Sequence, residues 1–418
     1  MEAGVVNTKW KISLRFRVTP AFICDIALLF YLCVMFAHQS ETTVDTLLRY
    51  GSLFFVVAAY VIVYYPQQSK YKEWIFKISG FEMWLLLFFA YGTLSYIWSI
   101  DSGNVYRVLF NLAKTMLVCF CIRPHLNSRK AIHHTLILLL IALFYMMVIL
   151  VLRTPISVWG TERIGSVINQ NSNEMGRLTC LGSLLTFYFL TFQKKHRLLL
   201  IALFGIFTVG VFMTGSKNAI FIFIFQIGLY YFLICGKSKR ILVVVGIWIG
   251  IFLIFQLVMN NSVLYTLVGN RLERMFLLFT GGPTVDGSTS ERLYFIETAW
   301  NLFRSHPILG VGLNNFSAYL ASIGYHNAVY SHCGFLEILS TLGIIGFVIY
   351  YSMYGKVLVK LIRPAFKKDM LVAFLFILNL RVFLFDISSI SLYTYNSYIT
   401  LMLGFACTRV LQLEGDRG

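Results

Sequence analysis

Apolar runs of about 18–22 residues recur along the whole chain, and each is long enough to cross a hydrocarbon core of roughly 30 Å as a helix. They predict spans near residues 19–37, 47–64, 80–99, 105–122, 132–152, 174–192, 198–214, 218–235, 241–258, 334–355, 370–386 and 390–409. The polar connections test this count. Every second one is basic: Lys70, Lys72 and Lys77; Arg123, Arg129 and Lys130; Lys194, Lys195 and Arg197; Lys237, Lys239 and Arg240; then Lys356, Lys360, Arg363, Lys367 and Lys368. The short loops between them, HQSETTVD, SIDSGN and FDISS, are neutral or acidic. Cytoplasmic loops collect Lys and Arg, so this alternation places both termini in the cytoplasm. One span missed or invented would invert everything downstream.

The expected fold is therefore all-α, a polytopic membrane protein with about twelve transmembrane helices and a long extracytoplasmic loop. Residues 1–258 hold helices one to nine, 259–333 form the loop, and 334–418 hold the last three helices. Within the loop, residues 262–279 and 290–304 place apolar side chains at three- and four-residue spacing, predicting two amphipathic helices at the outer face. Ser288 and Glu291 fit a capping box for the second, and GGPTVDGSTS before it reads as a turn.

Composition agrees. Of the 418 residues, 58% are hydrophobic and 13% charged, against roughly 25% charged in a soluble domain. The net charge of +17 would point to nucleic acid in a soluble protein; here much of it is topology, and no nucleic-acid partner is expected. Seven of the eight cysteines fall inside apolar runs and none shows CxxC spacing, so neither a disulfide framework nor a zinc site is supported. The basic start before the first run lacks a small-residue cleavage pattern near Ala37, which reads as a retained span.

Some charge is not explained by topology. Arg153 and Arg163 lie in outward segment 153–173, Arg271, Arg274, Arg292 and Arg304 in the long loop, and Lys217 in the turn 214–217. Basic residues on that side point to an anionic ligand, although long loops also translocate regardless of charge. Asp25, Glu82, Lys114, Glu174, Arg177, Glu337, Arg381 and Asp386 sit in or at the edges of spans. Ionisable groups there usually face a wet cavity or pair internally, as Glu174 and Arg177 could one turn apart.

Four segments gather on the outward side: LSYIWSID (Leu94 to Asp101), RIGSVINQNSNEMG (Arg163 to Gly176), TGSKNA (Thr214 to Ala219), and the run from SERLYFIETAW through SHPILGVGLNNF to SHCGFLEILSTLGIIG. Their order resembles the O-antigen polymerase and ligase superfamily, over most of the chain and most sharply over residues 214–346. The resemblance rests on Ser290-x-Arg292 before an amphipathic helix, then His-Pro and Gly-Val-Gly with Asn-Phe. It ends with His332, eleven residues before Gly343 of a Gly-Ile-Ile-Gly segment. Two positions depart from the family pattern: Cys333 follows the His where Asn or Ser is common, and Lys217 stands where Arg is usual. Lysine keeps the charge but not the bidentate fork.

What the resemblance implies is a bacterial cytoplasmic-membrane glycosyltransferase with an extracytoplasmic active site, acting on undecaprenyl-diphosphate-linked oligosaccharide. Arg292 and Lys217 would hold the diphosphate, with Arg163 and Arg177 behind them, and His332 would be the base on the acceptor hydroxyl. His326 is the rival base; Asn327 and Glu337 are further candidates. The reaction is expected to invert the anomeric centre with no metal and no cofactor. Membrane lipids, a chain-length regulator and a flippase are the expected partners. Repeat-unit polymerisation is preferred; ligation to lipid A core is the alternative, and a transporter or flippase, for which no internal symmetry is found, the competing class.

Overall fold

The computed structural model describes residues 20–64, 78–159, 162–270, 273, 287–325 and 329–416. Among these there is no strand. The principal helices are α1 (Pro20–Ala37), α2 (Thr43–Tyr64), α3 (Gly80–Leu94), α4 (Ser102–Ile122), α5 (Arg129–Arg153), α6 (Ser172–Phe192), α7 (Arg197–Met213), α8 (Lys217–Ile234), α9 (Arg240–Asn260), α10 (Gly287–Ser305), α11 (Phe316–Ser322), α12 (Gly334–Ala365), α13 (Met370–Asp386) and α14 (Tyr395–Gly415).

A helix overlies each of the twelve predicted stretches: α1 to α9 and α12 to α14. Eight of them, α2 to α6, α8, α9 and α12, are long and apolar enough to cross a membrane; α1 and α7 are shorter apolar helices. Polar side chains set the starts. Ser79, Asp101, Ser128, Asn171, Ser216 and Asp369 each cap the first turn of the helix that follows them, taking up amide protons that a helix leaves unbonded.

The boundaries differ from the hydropathy reading where tertiary contacts outweigh it. α12 runs 32 residues to Ala365, about 48 Å at 1.5 Å per residue, so Lys356, Lys360 and Arg363 continue a helix rather than forming a basic loop. The last helix begins at Tyr395, not near 390, because residues 387–394 wrap a buried arginine. In the long loop, α10 starts at Gly287, before the predicted capping box, so Gly287–Ser290 is helical rather than part of the turn. The first amphipathic helix shows a turn at Ser262–Leu264 and a wider π-turn at Tyr265–Gly269; most of its remainder lies outside the described residues.

The core lies among α1, α3 to α6 and α12 to α14, with Leu181, Leu184, Phe374, Leu378 and Leu401 fully buried. Close approach is built in: a Cβ on Gly182 of α6 would sit 2.4 Å from the Phe207 ring of α7, the small-residue contact that lets membrane helices pack. α9 is largely apolar and mostly exposed, with Val258 its one buried residue, as a lipid-facing helix would be.

Candidate active site at one end of the bundle

The site is organised by a broken helix. Gly343 interrupts α12 with φ 65° and ψ −169°, a conformation open to glycine but not to a side chain. The break frees backbone groups that an apolar surrounding cannot satisfy, and the loop after α10 satisfies them. Ile344 donates to the Pro307 carbonyl at 2.9 Å, Val311 to Ser340 at 3.2 Å and Gly312 to Thr341 at 2.8 Å, while the Tyr91 hydroxyl donates to Leu342 at 2.8 Å. The fit leaves no room: a Cβ on Gly343 would lie 2.1 Å from the Ile308 carbonyl oxygen, and one on Gly310 2.3 Å from the Thr341 carbonyl carbon. The His-Pro and Gly-Val-Gly motifs are thus a plug for the break, and His306 itself is exposed.

The segment Leu94 to Asp101 holds that plug from the other side. The Ser95 hydroxyl accepts from Leu313 N–H at 3.1 Å, and Asn315 Oδ1 accepts from Asp101 N–H at 2.6 Å. Trp98 Nε1 donates to the Leu309 carbonyl at 3.3 Å. α10 packs on the same plug through Phe295, Ala299 and Leu302 against Val311, Phe316 and Leu320.

Within this framework the Arg292 charge reaches His332. His332 immediately precedes the α12 cap, at φ 57°, a left-handed conformation costing a non-glycine residue about 1–2 kcal/mol. Its ring stacks on Phe295 of α10 at 5.9 Å and 22°, and meets Tyr330 at 4.3 Å. Among the described residues the buried Nδ1 has no hydrogen-bond partner. Burial first, then the Arg292 charge, pushes the imidazole down from 6.5 to about 4, with Glu291 opposing. It is therefore neutral at pH 7. A strained backbone and an orphaned buried nitrogen at one residue mark functional positions more often than packing positions. The sequence singles out this His by its spacing to Gly343; His326 and Asn327 lie outside the described residues.

Glu337 holds the loop that carries His332. It is buried; Oε2 accepts from Ser331 N–H at 2.9 Å and Oε1 from the Tyr393 hydroxyl at 3.1 Å. It touches the residue next to His332 rather than the imidazole, so its place is that of a positioning group.

Arg163 and Arg177 have partners of their own. Arg163 Nε donates to the Thr214 carbonyl at 2.7 Å and its Nη2 to Asn173 Oδ1 at 3.2 Å, which also accepts from the Ser216 hydroxyl at 3.1 Å. The 163–173 segment is thereby stitched to the turn that opens α8 with Lys217, half-buried at its first position. Arg177 is different. It is 3% exposed, and its terminal nitrogens donate to Ser389, Ser391 and Thr394 hydroxyls and the Ile390 carbonyl at 2.7–3.2 Å. Its Nε faces Glu174 at 3.2 Å, off the hydrogen-bond axis. The space beside it amounts to about 10 Å³, room for one water and not for a diphosphate. The predicted Glu174–Arg177 pair is present, and Arg177 secures the 387–394 loop.

A cavity of about 690 Å³ opens between α1, α2, α4 and the starts of α6 and α14. Arg49, Arg107 and Lys114 line it. In the sequence Arg49 and Arg107 each stand alone in an apolar run. The available signal was Arg107, Asn111 and Lys114 at i, i+4 and i+7, one face of α4.

The family model described as O-antigen ligase matches residues 198–351. Comparison with curated proteins finds no match. The matched stretch, over which the chain is similar to that family, contains Lys217, Arg292, His332 and the break in α12 with the loop after α10 that fills it.

Proposed function

We propose that this protein joins lipid-diphosphate-linked oligosaccharide units to one another at the outer face of the cytoplasmic membrane. The observation that carries the reading is His332, neutral, backed by Phe295 and Tyr330, with Arg292 close enough for its charge to depress the imidazole. Glycosyl transfer from a lipid diphosphate needs a base for the acceptor hydroxyl and a cation for the departing diphosphate. As the acceptor oxygen bonds to the anomeric carbon, its proton passes to His332. The bond from that carbon to the diphosphate breaks on the opposite face, and the diphosphate leaves with the electron pair against Arg292 and Lys217. The product is inverted. His332 returns its proton to solvent.

The arrangement also couples donor to base. Burial is the larger cause of the lowered imidazole and the Arg292 charge the next; an anionic diphosphate at Arg292 offsets that second part, so the imidazole becomes a stronger base once donor is in place. Topology supports the outward assignment, since the alternating basic loops put the ends carrying Lys217 and His332 away from the cytoplasm.

Ligation to lipid A core is the second reading, favoured by the description of the matching family model. It uses the same donor chemistry and differs in acceptor. The test is purified protein in nanodiscs given an undecaprenyl-diphosphate repeat unit, with and without lipid A core. Longer lipid-linked glycan without added core is the expected result; product formed only with lipid A core overturns polymerisation in favour of ligation. No product from either, with substrate moved across a vesicle membrane instead, overturns both.

A further inference from the structure

The cavity between α2 and α4 has an unbalanced charge. Three cations line it, Arg49, Arg107 and Lys114, against one carboxylate, Glu174. That carboxylate is committed elsewhere, facing Arg177 Nε at 3.2 Å and accepting from Asn396 Nδ2 at 2.9 Å. Among the described residues no carboxylate pairs with the three cations. Arg49 donates to the Ser40 carbonyl and the Thr46 hydroxyl at 3.2 and 3.1 Å. Lys114 rests over the Phe110 and Tyr50 rings at 4.8 and 5.4 Å. Arg107 is exposed and, among the described residues, makes no hydrogen bond or ion pair. Cations gathered at a cavity between apolar helices, without counter-charge, fit an anionic ligand.

Three further features narrow the ligand. The volume exceeds a diphosphate and falls in the usual range for small-molecule sites. Tyr50 and Tyr106, both exposed, add flat aromatic faces suited to a sugar. Next to the cavity, Phe54, Phe110 and Leu117 of α2 and α4 are exposed, a surface for a hydrocarbon tail. The cavity also lies at the reacting end of the molecule. Tyr393, which lines it, donates to Glu337, and Glu337 holds the backbone of Ser331 beside His332.

We propose that this cavity binds the diphosphate headgroup of a second lipid-linked glycan, the acceptor, while Arg292 and Lys217 serve the donor. The proposal rests on the polymerase reading, because polymerisation brings together two lipid diphosphates of which only one is cleaved. Arg107, Arg49 and Lys114 would hold the diphosphate that stays intact, with its sugar directed toward His332.

The test counts bound lipid. Native mass spectrometry of the full chain with undecaprenyl diphosphate is expected to show two lipids on the wild type. One should remain on the Arg49→Gln, Arg107→Gln double variant and one on the Lys217→Gln, Arg292→Gln double variant. Arg107→Lys, which keeps the charge, should retain both. In turnover assays the cavity variant should raise the acceptor KM at least tenfold with kcat little changed. Two lipids retained on a cavity variant of normal thermal stability would overturn the proposal. So would inorganic diphosphate displacing the lipid at equal concentration, which would mark a free-anion site. His332→Ala separates the two claims: it should bind both lipids and transfer nothing. Normal transfer by that variant would remove the catalytic assignment while leaving the lipid count to stand or fall alone.

Discussion

Arg177 and His332 stand at the same end of the bundle, in or beside helices rich in apolar residues, and their surroundings are finished in opposite ways. Around Arg177 the terminal guanidinium nitrogens are met by four donor contacts to the 389–394 loop, the ring of Phe385 lies 5.1 Å away, and the neighbouring space is about 10 Å³. Around His332 the backbone is left-handed, a buried nitrogen has no partner among the described residues, and burial, with the Arg292 charge behind it, holds the ring neutral. A polar group inside an apolar helix bundle is therefore not diagnostic by position. Among the described residues each keeps one buried nitrogen without a hydrogen bond, Nε of Arg177 and Nδ1 of His332; what separates them is that the other nitrogens of Arg177 are bound to a single loop in a space too small for a ligand.

The comparison can be broken at several points. The largest effect is expected for His332→Ala, which should lower transfer by about 10²–10⁴ with unchanged thermal stability and donor binding, read by single-turnover assay. Arg177→Ala should do the reverse. It removes the anchor of residues 387–394 and should cost about 3 kcal/mol of stability, read as a lowered unfolding midpoint, while activity per folded molecule holds. A loss of turnover without a loss of stability would move Arg177 into the site.

Smaller effects sharpen the account. Glu337→Gln keeps one acceptor for Ser331 or Tyr393 but not the charge, and should lower kcat by about tenfold with little change in KM, because it positions His332 without touching substrate. Arg292→Gln should change the pH profile. Below its pKa His332 is protonated and cannot accept a proton, so the acidic limb of free-enzyme activity falls near its value of about 4. Removing the Arg292 charge raises the imidazole toward 6.5, moving that limb upward. A limb unchanged in this variant would mean that His332 and Arg292 do not share a site.

Much of this was legible beforehand. A helix overlies every predicted stretch, and the family resemblance, through the spacing from His332 to Gly343, named His332 as the candidate base. Three things were not. Gly343 reads as a helix-packing glycine, whereas its positive φ depends on a plug thirty residues upstream in sequence that no local pattern announces. Arg177 reads as a ligand-binding cation near a helix end, but the serines that occupy it come from the far end of the chain. Arg49 and Arg107 are separate isolated charges in two apolar runs, and only helix pairing gathers them with Lys114.

The central claim is that His332 is the base for glycosyl transfer. The most direct measurement is single-turnover transfer by wild type and His332→Ala in nanodiscs loaded with an undecaprenyl-diphosphate repeat unit, with donor binding measured on the same samples. The account predicts full binding and at least a hundredfold slower transfer in the variant; transfer at the wild-type rate would contradict it.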